Sequence, residues 1–227
     1  MRFVYIKHSQ GTTYRDSCGE VNRAAAKQAG LKVGAYHFAN MENAIKQAEF
    51  FIKCMGDFDF DLPPAIDCEM YNNVMPSEAV TDVIGMRLTD WMAARPRLAP
   101  FGYPAIYTNV GFGNQIFRSA KMSRYNLWVA HWGVEKPLLP SVWKKEKPFI
   151  WQDAMVEGAR FGLPNGKLDH DVWMTKFPFP GEDAPPVEED ALIRVKRLLW
   201  EAKNSGAERV SVATGDLEDV LAAAGRQ

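Results

Sequence analysis

Short apolar runs rich in β-branched and aromatic residues recur along the chain at 3–7, 33–38, 65–68, 105–108, 127–130 and 149–152. Longer stretches with helical spacing of apolar positions lie between the earlier runs, at about 16–29, 42–54 and 77–94. Gly30 offers a C-terminal stop to the first of these and Ser77 an N-cap to the third. Strands and helices alternating in this way predict parallel strands covered by helices, an α/β fold. Beyond about Ala130 the strand runs draw closer and are joined by loops rich in Pro, Gly and Lys, so the covering helices are expected to give out late. A last strand is expected at 167–173.

The pattern then changes. FPFPGEDAPPVEED reads as a Pro-rich, acidic linker over 177–190. It separates a main domain, 1–176, from a small unit, 191–227. In that unit Ala191, Leu192, Val195, Leu198, Leu199 and Ala202 form an amphipathic stripe, 209–213 reads as a strand and 216–224 as a short helix. Such a short unit cannot build a robust core alone, so it is expected to dock on the main domain or to mediate self-association.

Composition adds mainly exclusions. A formal charge of -1 gives no long-range field toward nucleic acid or anionic lipid, and neither is expected as a partner. No apolar run is long enough to span a membrane, and MRFVYIKHSQG has no secretory-signal pattern. Localisation is therefore left open. Cys18, Cys54 and Cys68 are an odd number without metal-ligand spacing and are expected to be buried free thiols. No metal and no cofactor are expected, because His37 and His131 have no second His or Cys at ligand spacing.

The candidate chemistry sits in PAIDCE. Alternate residues of a strand face the same way, so Asp67 and Glu69 are expected to project from one strand into a common pocket. Two acids held close raise each other's pKa, which keeps one protonated as a general acid while the other supplies negative charge. Cleavage of a glycosidic bond needs both roles. An isolated Asp-X-Glu more often only ends a strand. Here Tyr36, His37, Tyr107, Trp128, His131, Trp132 and Gln152 also fall at or near the ends of other expected strands. Aromatic faces and polar tips of this kind suit sugar rings, although Tyr36, Tyr107 and Trp128 could equally be core aromatics.

The ordered segments FVYIKHSQG, AGLKVGAYHFA, LPPAIDCE, PAIYTN, YNLWVAHW, FIWQ and LDHDVW resemble glycoside hydrolase family 25 lysozymes, the Chalaropsis-type muramidases, over about 2–173. The resemblance implies a TIM-like (β/α)5(β)3 barrel that hydrolyses the β-1,4 bond between N-acetylmuramic acid and N-acetylglucosamine in peptidoglycan. It puts the acid on Glu69 and its neighbouring carboxylate on Asp67. A further acid falls on Asp169, with Asp171 the weaker match. Tyr36, Tyr107, Trp128, His131, Trp132 and Gln152 become substrate-binding candidates, with peptidoglycan glycan strands the partner. The resemblance also implies participation of the substrate's own N-acetyl group.

Two departures from the family stand out. Its usual opening strand, a Gly-Ile-Asp-Val-Ser-like segment, is absent, and its Thr-Glu-Gly reads Ser9-Gln10-Gly11. The expected fold is thus the barrel without its first strand, followed by a short α/β appendage. RVSVATGDLEDVLAAAG, ending at Gly225, repeats the order strand, turn, helix of the absent opening and is a candidate to take its place. A glycan-binding protein of the same fold that has lost turnover is the alternative function.

Overall fold

The computed structural model describes residues 2–158, 166–175 and 179–180. The linker, apart from 179–180, and the whole 191–227 unit lie outside the described residues, as does any self-association through it.

Along the chain run β1 (Phe3–Gln10), β2 (Tyr14–Arg15), α1 (Gly19–Gln28), β3 (Lys32–Phe38), α2 (Ala44–Met55), β4 (Ala65–Asp67) and α3 (Glu78–Ala93). There follow β5 (Ala105–Asn109), α4 (Val110–Ile116), β6 (Asn126–Ala130), β7 (Ile150–Glu157) and β8 (Lys167–Trp173). The strands form one mixed sheet in the order β2-β1-β3-β4-β5-β6-β7-β8. Pairing is parallel from β1 through β7, while β2 and β8 are antiparallel to their neighbours. Four strand–helix pairs thus precede three strands joined without an α-helix among the described residues, where short 3-10 turns such as Ser141–Trp143 take over. The covering helices do give out late.

The sheet curls strongly. Phe3 of β1 and Trp173 of β8 have five strands between them in the order yet stack edge to face with centroids 5.8 Å apart. The inner face is therefore concave, and the helices cover the outer one. Between sheet and helices lies the main core, in which Val33, Ala35, Phe51, Met55, Ile66, Ile84 and Leu88 are buried.

Local chemistry fixes the helix ends. The Asn43 side chain accepts from Lys46 N–H at the start of α2, and Ser77 accepts from Val80 N–H at the start of α3. Beyond α1, Gly30 takes φ +76° and closes the turn with Gly30 N–H to Lys27 and Leu31 N–H to Ala26, a Schellman pair. Gly34 has a different reason: a Cβ there would lie 2.4 Å from the Tyr5 ring. Gly34→Ala should consequently cost about 1–3 kcal/mol, the usual penalty of overpacking, read from urea unfolding.

Several expectations need correction. The hydrogen-bonded strand β4 ends at Asp67, and Glu69 lies just past it, although Cys68 N–H still reaches Tyr107 O at 2.9 Å. Cys18 is exposed, because it precedes α1 at the surface, whereas Cys54 and Cys68 are buried free thiols as expected. α4 and the two-residue β2 were not anticipated. α4 is seven residues with two glycines, too short and too poor in helix formers to show as a periodic stretch.

Candidate active site

Strand parity sends one residue from each of several strands onto the concave face. In register, Asp67 of β4 lies opposite Tyr107 of β5, which lies opposite Trp128 of β6, while Gln152 of β7 lies opposite Asp171 of β8. Together with Tyr36, Glu69 and Asp169 these side chains line a cavity of about 790 Å3. Of the nine residues expected at the site, seven therefore converge: Tyr36, Asp67, Glu69, Tyr107, Trp128, Gln152 and Asp169.

The other two lie apart from its lining. His131 Nδ1 accepts from Leu138 N–H at 2.9 Å, so its ring orders the loop after β6. Trp132 is half exposed and donates its indole N–H to Gln152 Oε1 at 3.0 Å, an oxygen that also accepts from Tyr107 Oη at 3.1 Å. Gln152 thereby ties an outer aromatic to an inner one. His37 faces the helices instead, stacked on Phe51 at 5.3 Å and bonded to Ser9 and Gln47; burial lowers its pKa to about 4, so the ring is neutral.

The carboxyl groups share an electrostatic environment. Burial raises the Asp67 pKa well above the usual range, and the charge of Glu69 adds to this. Asp67 Oδ1 is buried with no hydrogen-bond partner among the described residues. The Glu69 pKa is raised by burial and by the charge of Asp169, and burial alone raises that of Asp169. Lys7 opposes the rise at both Asp67 and Glu69. The phenols of Tyr36 and Tyr107 are pushed upward by burial and by these acids, so both remain hydrogen-bond donors across the working pH range.

Asp171 forms a second acidic position. Its pKa is raised to about 7 by burial, against the bond it accepts from Trp128 Nε1 at 2.7 Å. Trp128→Phe deletes that donor while keeping an aromatic ring, so the Asp171 midpoint should move upward from about 7, as followed by carboxyl-carbon NMR titration.

Sequence reasoning missed Tyr5 and Lys7, which share strand parity with Phe3 in FVYIKH; that parity was the available signal. Tyr5 donates to Pro63 O at 2.9 Å and its ring lies 4.7 Å from that of Trp128. Lys7 Nζ donates to Gln10 Oε1 at 2.9 Å, so its hydrogen-bond partner is neutral and its charge is left to act on the acids. Chemically the cavity holds carboxyl groups that keep protons to unusually high pH, within aromatic walls and beside phenol donors. Among the described residues no cluster of three or more His, Cys, Asp or Glu side chains could hold a metal ion, and no helix is long and apolar enough to cross a membrane.

The family model for glycosyl hydrolases family 25 matches residues 1–157. Lysozyme M1 of Streptomyces globisporus is 34% identical over 152 residues, which cover 62% of this chain and 50% of that protein. The chain spans about half the length of the curated relatives it matches. Among solved structures it is similar to the bacterial lysozyme from Streptomyces coelicolor, with a TM-score of 0.57 and 28% identity over 68% of this chain and 73% of that one. It is also similar to the muramidase from Trichobolus zukalii, with a TM-score of 0.58 and 26% identity over 76% and 82% of the two chains.

Proposed function

Because the chain belongs to glycosyl hydrolases family 25, we propose that it is a peptidoglycan hydrolase, a muramidase cleaving the β-1,4 bond between N-acetylmuramic acid and N-acetylglucosamine. One observation supports this most: Asp67, Glu69 and Asp169 meet in one aromatic-walled cavity, and all three have raised pKa values. Its volume of about 790 Å3 suits a saccharide of a few rings.

In this reading Glu69, half buried beyond the end of β4, donates its proton to the leaving glycosidic oxygen. Asp67, deeper and without a hydrogen-bond partner at Oδ1 among the described residues, faces the sugar from beneath. Its charge or hydrogen bond stabilises the positive character that develops at the anomeric carbon. Burial first, and the charge of Asp169 second, raise the Glu69 pKa and so favour its protonated form. Tyr36, Tyr107 and Trp128 offer ring faces and donors to the saccharide, Gln152 fixes Tyr107 and Trp132, and His131 shapes the loop that carries Trp132.

The finer architecture belongs to the same proposal. Four strand–helix pairs followed by three strands are a (β/α)5(β)3 barrel less its first unit, with residues 1–176 as the domain, 177–190 as linker and 191–227 as appendage.

A substrate panel tests the activity. Purified peptidoglycan should be cut, whereas an N-acetylglucosamine polymer free of muramic acid should not. Cleavage of both alike would assign a chitin-type activity, and cleavage of neither by the folded chain would favour a glycan-binding protein.

A further inference from the structure

Glu69 sits in no regular element. β4 ends at Asp67 and α3 begins only at Glu78, so the backbone that carries this carboxyl has to be held by other means. On its N-terminal side the sheet holds it. Asp67 is the register partner of Phe38 in β3, Ala39 N–H donates to Asp67 O at 3.0 Å, and Cys68 N–H donates to Tyr107 O at 2.9 Å. On its C-terminal side a tight turn follows. Tyr71 N–H donates to Val74 O and Val74 N–H to Tyr71 O, both at 2.9 Å, closing a two-residue hairpin around Asn72 and Asn73. These two take φ of 49° and 61°, and no other non-glycine residue among the described ones has positive φ. Positive φ at both central positions is the requirement of a type I′ turn, and asparagine tolerates it better than most side chains.

The hairpin leans on the site. The Tyr71 ring meets the Phe38 ring edge to face with centroids 5.7 Å apart. Phe38 is the residue paired with Asp67, and its ring also lies beneath Lys7 Nζ at 5.1 Å. The segment thus leaves the sheet beside Phe38 at Asp67 and comes back to Phe38 at Tyr71. Between Cys68, bonded to the sheet, and Tyr71, bonded in the turn, lie only Glu69 and Met70. Met70, Tyr71 and Val74 are each about half exposed, so burial gives little reason to keep two residues in a costly backbone conformation.

We propose that the Tyr71–Val74 hairpin is a positioning device for Glu69: its turn and its stack on Phe38 fix the backbone that follows the acid, which keeps the carboxyl in the cavity beside Asp67 and Asp169. This rests on the reading of Glu69 as proton donor. A donor displaced by about 1 Å can lose 10²-fold in rate, so a restraint two residues away is worth its backbone strain. The half-buried state of Glu69, the main cause of its raised pKa, depends on the same restraint.

Three variants of the full chain test it. An Asn72→Val, Asn73→Val double variant puts a β-branched residue at each positive φ and opens the turn, Asn73→Gly preserves the turn, and Tyr71→Ala removes only the stack on Phe38. Carboxyl-carbon NMR titration of Glu69 needs no substrate. Its midpoint should be raised in wild type and in Asn73→Gly, and should move down toward the ordinary glutamate value in the other two. On peptidoglycan the double variant should lose about 10²-fold in kcat and Tyr71→Ala about 10-fold, with KM altered less than about 3-fold and Asn73→Gly within about 2-fold of wild type. Melting temperatures should stay close together, because the hairpin is exposed. If the double variant does not fold, Tyr71→Ala carries the test. An unmoved Glu69 midpoint or an unmoved kcat in the opened variant would overturn the proposal, as would an Asn73→Gly protein equally impaired. A folded wild type without turnover would count against the muramidase reading instead, and the titration would still decide what the hairpin does.

Discussion

Glu69→Gln should lower the turnover of peptidoglycan by about 10²–10⁴-fold, the usual contribution of a positioned general acid, and should leave the melting temperature nearly unchanged. The amide keeps the shape of the carboxyl and its hydrogen-bonding reach but cannot give up a proton to the leaving oxygen. Glu69 is a suitable donor because burial and the charge of Asp169 hold its proton on to higher pH, with Lys7 limiting the rise. The loss should appear in kcat with KM little altered, since the interaction matters in the transition state. Initial rates of reducing-end release, measured beside thermal melts of the same samples, check both halves of this expectation. Full activity in the variant would remove Glu69 from the role.

Asp67→Asn should act in two opposite directions. Activity should fall by about 10²–10³-fold, as when a preorganised stabiliser of developing charge is removed. Stability at pH 7 should rise by about 1 kcal/mol, the size commonly released when an active-site strain is relieved, or about 2–4 °C in Tm for a chain of this size. The sign follows from linkage. Burial first and Glu69 second raise the Asp67 pKa, so between the unfolded and folded values the folded state holds more protons. Stability of the wild type therefore declines as pH rises through that window. Asn escapes the decline, and its advantage should vanish below about pH 4, where the unfolded carboxyl is protonated too. Melting curves at pH 3.5 and pH 7 would show it, and a variant less stable than wild type at pH 7 would contradict the electrostatic account.

Much of the fold was legible because burial writes a period into sequence. The run 105–108 became β5 and 33–38 fell within β3, since both are apolar over their length. Ser77 capped α3 because its short side chain competes for the free N–H groups wherever a helix starts. β7 extended to Glu157, well beyond the expected 149–152, because its outer half is set by antiparallel pairing with β8 and carries the mixed sequence Asp153 to Glu157. That pairing is a long-range choice with no local signature.

The site was legible to the same depth. Strand parity and position placed Asp67, Tyr36, Tyr107, Trp128 and Gln152 on the concave face, and Asp169 followed from the family resemblance. It could not reveal that the Gln152 oxygen is shared by Tyr107 and Trp132, or that Trp128 holds Asp171, because these bonds join residues 20 to 45 positions apart. Nor did it show the partner of His131: its position near a strand end matched the pattern, but the loop that follows turns back and donates Leu138 N–H to its ring nitrogen. Lys7 went unnoticed because a lysine in a strand usually marks a solvated edge, whereas here it sits over the rings of Phe38 and Tyr14 beside the acids.

The proposed function rests on this cavity hydrolysing the glycan. The most direct measurement is the identity of the reducing-end sugar in products from purified peptidoglycan, fixed by borohydride reduction and mass analysis after treatment with the full chain. The account predicts reduced N-acetylmuramic acid from wild type and essentially none from Glu69→Gln. No new reducing ends from a folded wild-type chain, or ends carried by N-acetylglucosamine, would contradict it.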